Sequence, residues 1–546
     1  MNNKTSSIDW WRGAVIYQIY PRSYQDSNND GIGDLKGITR RLPYIAGLGV
    51  DAIWISPFFR SPMEDYGYDV SDYRDVAPMF GTLSDCDELI QTAHELNIKV
   101  LVDLVISHTS QEHCWFKESR RSRDNGKAQW YVWADAKPDG TPPNNWLSIF
   151  GGPAWHWDSR RCQYYLHNFL SSQPDLNFHN PDVQEALLDI ARYWLERGVD
   201  GFRLDTINFY YCDKSLRDNP ALAPDDRNDT IAPEVNPYNH QQHLYDKNQP
   251  ENLDFLRSLR TVMNDFPGSM ALGEVGDAQR GMELLGQYTA GDDLMHMCYA
   301  FDFLSKERPD ASRIAEIVQQ LDHVGDDSWA CWAFSNHDVE RHISRWQLND
   351  DSARTMLTLL LSLRGSICLY QGEELGLPEA TIPWEDLRDP YGIEFWPEFK
   401  GRDGCRTPMV WSHDEVNGGF SEQKTWLPQP ASHLPLSVES QSNNPDSLLS
   451  HYRRMIAQRK SLPALINGSI EAVTANENVL SFIRRTDEQV FFCAFNLSSL
   501  SQSVQLPAGR WRTVIDGERD TALEEKPEGD ELKLEAWQSF WAERQS

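Results

Sequence analysis

Cysteine is scarce and unpatterned in this chain. The 546 residues include nine, an odd number, and no two fall at C-x-x-C spacing. A chain of this length buries a large core without disulfide staples. The expectation is therefore reduced, mostly buried thiols in a cytoplasmic protein. Long apolar runs are also missing. The greasiest stretch, Met356 to Leu363, stops at Arg364, far short of the ~20 residues that a spanning helix needs. Met1–Ser7 is polar and leads into Trp10-Trp11 without the apolar core of a secretory signal. Positive charge is in deficit, with 51 Lys and Arg against 82 Asp and Glu, a net charge of −31. Such a surface repels nucleic acid and anionic membranes. Adaptation to high salt and ordinary solubility both account for the excess. Internal repeats and low-complexity tracts are absent.

Aromatic rings are abundant instead, 20 of them Trp. They suit core packing and the C–H faces of sugars equally well. Eight short β-like runs punctuate the first 370 residues. They are Val15–Tyr20, Ala52–Ser56, Val100–Ile106, Gly201–Asp205, Ala271–Val275, Cys298–Phe301, Trp329–Ser335 and Ser366–Tyr370. Helix-like segments such as Asp85–Leu96 and Val183–Arg197 lie between them. Eight strand–helix units predict an α/β fold, a closed (β/α)8 TIM barrel. Two connections are too long for a simple unit, 108–177 after the third strand and about 371–450 after the eighth. Loops of that length are improbable without structure of their own. Both would rise on the C-terminal face of the barrel and wall a pocket there. From Ser469 onward, short β-like runs recur at close spacing. The organisation predicted is barrel over 1–107 and 178–465, an inserted domain at 108–177, and an antiparallel β-sandwich at 466–546.

Charged residues gather at the ends of these strands. Arg203 and Asp205 are two apart on a strand and share a face, and a guanidinium beside a carboxylate keeps it ionised. Glu274 ends the fifth run after Gly273, which lets a ligand approach. His108 and Asp103 differ in parity, as do His337 and Asp338, so each histidine reaches a common pocket only past its strand's regular end. Taken singly, each is as readily a salt bridge or a satisfied structural histidine. Together they fall on one face of one barrel.

At this point the chain closely resembles the α-amylase family of glycoside hydrolases, family 13, and within it the α-glucosidase and oligo-1,6-glucosidase branch. The resemblance runs from Trp10 into the C-terminal domain. It includes Val50-Asp51-Ala52-Ile53-Trp54-Ile55-Ser56-Pro57, Asp65-Tyr66-Gly67-Tyr68-Asp69, Gln173-Pro174-Asp175-Leu176-Asn177 and Tyr370-Gln371-Gly372-Glu373-Glu374. It implies a retaining, exo-acting α-glucosidase acting on terminal α-1,4-linked glucose of maltose and short oligosaccharides, with transglucosylation. Asp205 is then the nucleophile, Glu274 the general acid/base and Asp338 the transition-state stabiliser. Asp65, Tyr68, His108, Phe169, Arg203, Thr206, His337 and Arg402 are the implied substrate-binding residues. Arg402 would pair with Asp65, and Arg203 would orient Asp205. The charge of Asp205 is expected to push the pKa of Glu274 upward. Ser107 departs from the family's usual Asn before the histidine. Thr206 after the nucleophile implies α-1,4 over α-1,6 cleavage.

Asp26-Ser27-Asn28-Asn29-Asp30-Gly31-Ile32-Gly33-Asp34 alternates oxygen-bearing residues around a glycine turn. It matches the first part of a calcium loop, with Asp26, Asn28, Asp30, Asp34 and the Ile32 carbonyl as ligands. An exposed polar turn is the plain alternative. The resemblance favours a structural calcium ion, with magnesium second. Oligo-1,6-glucosidase, sucrose isomerase and trehalose synthase are the rivals within the family, and a non-catalytic sugar-binding relative is the rival outside enzymes. The expected partner is a small oligosaccharide, with no nucleic acid or membrane, and the protein is a monomer or homodimer.

Overall fold

The computed structural model describes residues 9–325, 327–516, 525–526 and 531–545. The Met1–Ser7 segment lies outside them. Eight strands form one parallel sheet: β1 (Val15–Ile19), β2 (Ala52–Ile55), β3 (Lys99–Leu104), β4 (Gly201–Leu204), β5 (Met270–Val275), β6 (Met297–Ala300), β7 (Cys331–Trp332) and β8 (Ser366–Tyr370). Spatial order follows chain order. A parallel bridge from Cys298 to Ala330 joins β6 to β7 and closes the barrel.

The strand period of two divides the core. Ile16, Trp54, Leu101, Met270, Leu272, Met297, Tyr299 and Cys368 fill the barrel interior as one cluster. Their neighbours Val15, Ile53, Val102, Phe202, Ala271, Cys298 and Ile367 pack outward against the helices in another. Register then sets the top of the barrel. Asp103 lies beside Arg203, and Glu274 beside Tyr299. Helix boundaries follow local chemistry. Thr82 and Asp85 form a capping box before Leu83–Glu95. Asn180 caps Pro181–Arg197, which ends at the left-handed Gly198.

The seventh run is shorter than the sequence suggests, since only Cys331–Trp332 pairs with β8. Residues 108–177 carry a helix (Cys114–Ser119) and a small antiparallel sheet of Trp133–Ala134, Gln163–Leu166 and Trp155–Asp158. Residues 371–450 consist of short helices and turns. Their Met409, Val410 and Trp411 join the main core, so this segment is sewn onto the barrel. A third long excursion, which the sequence does not announce, follows β4. Between β4 and the helix Asn252–Asn264, the chain makes three short 3-10 turns. A string of Asn, Asp and Pro hides it, because it carries neither periodicity.

The C-terminal region is a six-stranded antiparallel sheet facing a two-stranded one, Gln502–Gln505 with Glu531–Leu534. Phe492, Leu506, Trp511, Leu532 and Phe540 pack between the two. The opposite face docks on the barrel, where Trp541 Nε1 donates to Ser362 Oγ at 2.9 Å. Among the described residues all nine cysteines are free and seven are buried. No described helix is long and apolar enough to cross a membrane.

Candidate active site

Arg203 sits at the centre of the barrel mouth, fully buried. Its Nη1 donates to Asp103 Oδ1 at 2.9 Å and to Asp205 Oδ1 at 2.7 Å. Its Nη2 donates to Glu274 Oε2 at 2.6 Å and to the Tyr299 hydroxyl at 2.7 Å. One guanidinium thus holds three carboxyl groups, where the sequence suggested one. It does not line the cavity, so its place is behind the carboxylates rather than on a sugar.

The two central acids differ in surroundings. Burial is the main cause that pushes Glu274 up to about 8; Arg203 opposes it, and the charges of Asp205 and Asp338 add to it. Like-charge repulsion, expected from sequence as the cause, is therefore secondary. Glu274 Oε2 accepts from both Arg203 and the Thr206 backbone N–H at 3.1 Å. The proton consequently belongs on Oε1. Among the described residues, Asp205 Oδ2 accepts only the Thr206 hydroxyl, at 3.2 Å. Thr206 occupies the left-handed region at φ 39°. For a β-branched residue that conformation costs about 1–3 kcal/mol and must be held by its surroundings.

A second cluster faces the first. Asp338 Oδ1 accepts from Arg402 Nη1 at 3.1 Å and Arg406 Nη2 at 3.0 Å. Burial opposes its charge, but Arg402 and Arg406 prevail and hold its carboxyl well below the usual range. Arg402 also donates from Nη2 to Asp65 Oδ1 at 3.0 Å and to Asp389 Oδ1 at 2.8 Å. Burial, partly offset by Arg402, lifts Asp65 to about 6. A short hairpin, Phe59–Arg60 with Asp72–Val76, carries Asp65 and Tyr68. Asp69 folds its tip by accepting from Ser61 Oγ and the N–H groups of Glu64 and Asp65.

His337 is not brought to the cavity wall. Its ring stacks under Tyr68 at 5.2 Å and 6°, and its Nδ1 meets Gln18 Nε2 at 2.7 Å. Burial keeps it neutral. It supports Tyr68, whose hydroxyl donates onward to Asp103 Oδ2 at 3.0 Å. His108 does reach the cavity, with Nε2 2.9 Å from the Tyr68 carbonyl oxygen and Nδ1 3.0 Å from Ser107 Oγ.

The cavity above these groups measures about 130 Å³. Both long insertions and the excursion after β4 contribute side chains to its wall. Asp65, Tyr68, His108, Phe169, Asp205, Thr206, Glu274, Asp338 and Arg402 all line it. Its upper wall was not legible beforehand: Ile149 and Phe150 from the insertion, Phe209, Thr230 and Ile231 from the third excursion, and Phe301, Val339 and Tyr391. Tyr391 stacks on Phe150 at 4.6 Å, and Asn236 Nδ2 donates to both the Ile149 carbonyl and the Tyr391 hydroxyl. Three segments are thereby tied into one rim. Lone aromatics in irregular loops leave no spacing signal.

The oxygen-rich loop near the N-terminus is compact. Asp26 accepts from the N–H groups of Asn28, Asn29 and Gly31, and Asp30 from that of Ile32. Asp34 accepts from Ser27 and caps the following helix through Gly37. Among the described residues, no three His, Cys, Asp or Glu side chains converge as a ready-made metal cage.

A barrel with two acids forked on one arginine beneath a cavity at its mouth has close counterparts. Residues 18–468 match the family described as alpha amylase, catalytic domain, and residues 470–537 match the alpha amylase C-terminal all-beta domain. The chain belongs to the α-amylase family. It is 60% identical to a probable alpha-glucosidase of Rhizobium meliloti (strain 1021), covering 99% of each chain. It is 36% identical to an oligo-1,6-glucosidase of Heyndrickxia coagulans, over 94% of this chain and 96% of the relative. Among solved structures, the alpha-glucosyl transfer enzyme XgtA superposes with a TM-score of 0.93 at 52% identity, covering 98% and 99% of the two chains.

Proposed function

We propose that this α-amylase family member is a retaining, exo-acting α-glucosidase that releases terminal α-1,4-linked glucose from maltose and short oligosaccharides. The observation that carries this reading is the Arg203 fork. It holds Asp205 and Glu274 on two nitrogens of one guanidinium, and both acids line the cavity at the barrel mouth. Retaining glycosidases need their carboxyl groups close, about 5–5.5 Å apart, and a shared guanidinium enforces closeness.

In the first step Asp205 Oδ2, the less engaged oxygen, forms a bond to the anomeric carbon. The glycosidic C–O bond breaks, and the Glu274 proton passes from Oε1 to the leaving oxygen. In the second step Glu274 removes a proton from water, whose oxygen displaces Asp205. Two inversions return the α-anomer. Asp338, kept ionised between two arginines, and Asp65 accept from sugar hydroxyls, while neutral His108 bonds another. Tyr68 and Phe169 offer ring faces to the sugar. Another alcohol in place of water gives α-glucosylated products, and the aromatic rim of Phe150, Phe209 and Tyr391 would hold such an acceptor. The likeness to a glucosyl-transfer enzyme supports this.

For the N-terminal loop, the proposed ion is calcium, with magnesium as the alternative. Its donors are all oxygens, which suits a hard cation. Asp26, Asn28, Asp30, the Ile32 carbonyl and Asp34 would hold it, and its contribution is structural. Cytoplasmic residence and a monomeric or dimeric state complete the proposal.

The test is glucose release from maltose by Asp205→Asn and Glu274→Gln, with proton NMR of the first-formed anomer. Loss of the acid alone is worth about 10²–10⁴-fold. Near wild-type turnover in either variant, or initial β-glucose, would overturn the mechanism.

A further inference from the structure

The turn that follows the nucleophile is built against the strand that carries the acid. Ile207–Phe209 form a 3-10 turn directly after Asp205 and Thr206, and successive residues meet the end of β5. The Thr206 N–H donates to Glu274 Oε2 at 3.1 Å. Ile207 packs where Gly273 has no side chain: a Cβ there would lie 2.5 Å from Ile207 Cδ1. Asn208 holds Gly276, two residues past Glu274, at both of its backbone groups. The Gly276 N–H donates to Asn208 Oδ1 at 3.0 Å, and Asn208 Nδ2 donates to the Gly276 carbonyl at 3.1 Å. A backbone N–H only donates and a carbonyl oxygen only accepts. One orientation of the amide therefore satisfies both groups, and the reversed one satisfies neither.

The clamp is itself held by the excursion after β4. Asn208 Nδ2 also donates to Asn248 Oδ1 at 2.8 Å, and the Asn248 N–H donates to the Asn208 carbonyl at 2.7 Å. Buried Lys247 donates from Nζ to the same Gly276 carbonyl at 2.9 Å and lies 3.6 Å from Asp277. Asn208 is fully buried and does not line the cavity, so it meets no sugar. The two acids depend on it unequally. Asp205 takes its partners from its own strand and the next residue, Arg203 and Thr206. Glu274 Oε2 takes one bond from Arg203 and the other from the turn. That second bond survives only while the turn and the end of β5 stay in register.

We propose that Asn208 is a positioning residue which aims Glu274 at the leaving oxygen by clamping the nucleophile's turn to the end of β5. With the clamp cut, the end of β5 slides against the turn and the Thr206 bond to Oε2 is lost. Oε1, with its proton, then no longer faces the leaving group, while Asp205 stays in place. This rests on Glu274 being the general acid, which its own Gln variant tests on the same substrates.

The experiment compares kcat/KM on two substrates that differ in their need for an acid. Phenyl α-glucoside leaves as a poor anion and needs the proton, whereas dinitrophenyl α-glucoside departs without one. Asn208→Leu should lose about 10–100-fold on the phenyl glucoside, part of the 10²–10⁴-fold that a well-placed acid contributes, and less than about 3-fold on the dinitrophenyl glucoside. A loss of fold lowers both alike, so the ratio of the two reports aim rather than the amount of active enzyme. Asn208→Ser is too short to reach both groups of Gly276 but leaves space for a water that satisfies them. It should keep the melting temperature nearer to wild type and show the same selective loss in smaller degree. Equal losses on both substrates in the folded variants, or no loss on the phenyl glucoside, would overturn the positioning role. Glu274→Gln should show the selective loss in full. An equal loss there would overturn the acid assignment itself, whereas selective loss in Glu274→Gln without it in the Asn208 variants would overturn the clamp alone.

Discussion

Arg203→Lys keeps a positive charge at the centre of the site and removes its fork. The arginine serves Asp103 and Asp205 from Nη1, and Glu274 and Tyr299 from Nη2. A lysine ammonium is a point charge and cannot occupy both positions. The side left unserved loses a charge-assisted hydrogen bond, about 1.5–3 kcal/mol. If that loss falls on the transition state, kcat/KM drops by about 10–150-fold. Stability should fall as well, by up to about the same 1.5–3 kcal/mol, because the unserved carboxyl group stays buried. Arg203→Met is the contrasting case. It leaves Asp103, Asp205 and Glu274 buried without their counter-charge, and removing one partner of such a set costs about 3–5 kcal/mol of stability. Kinetics on an aryl α-glucoside together with urea melts separate the two effects. A folded Arg203→Lys enzyme with wild-type kcat/KM would refute the reasoning, since the fork would then have no catalytic consequence.

Four further outcomes are expected. The kcat/KM of the wild type should fall as pH rises through about 8, where Glu274 loses the proton it must deliver, and a profile flat across that range would contradict its role as acid. Maltose should be cleaved faster than isomaltose, and Thr206→Val should shift the ratio toward isomaltose; an unchanged ratio removes Thr206 from the choice of linkage. Excess chelator should lower the melting temperature, because an ion bound only by the folded state stabilises it; an unchanged Tm and no metal by elemental analysis would retire the calcium loop. Burial lifts Glu373 from 4.5 to about 8, so its proton stabilises the fold fully below 4.5 and that contribution is lost as pH rises through 8. Glu373→Gln should therefore flatten the fall of Tm with pH over that window, and an unaltered slope would count against it.

The barrel was legible in the sequence because its strands are buried on both sides and appear as short apolar runs. Seven of the eight lie within two residues of expectation at each end. The seventh fails because a run's hydrophobicity reports burial rather than pairing. Trp329, Ala330, Ala333 and Phe334 are all buried, yet the ladder to β8 spans two residues. Parity placed Arg203 and Asp205 on one face, and they bond at 2.7 Å. Parity could not show that Glu274 and Asp103, on neighbouring strands, reach the same guanidinium, because that depends on barrel register. The third excursion and the aromatic rim were invisible for a different reason. Phe150, Phe209 and Tyr391 sit alone in irregular chain, and only the fold brings them together. His337 shows the opposite limit: a motif histidine at the strand end turned inward to support Tyr68 instead of facing the cavity.

An exo-acting site walled by three excursions at the barrel mouth limits what the enzyme can measure. It engages a saccharide only by its terminus, so each molecule offers one reactive end however long it is. A gram of disaccharide presents far more such ends than a gram of polymer. At equal mass, velocity should therefore track the number of molecules in solution and ignore their length once the rim is passed. As hydrolysis shortens a chain by one unit, the new terminus is again a substrate. The concentration of ends then stays constant until the last bond is cut, and release from a long chain should run at steady rate rather than slow as mass is consumed.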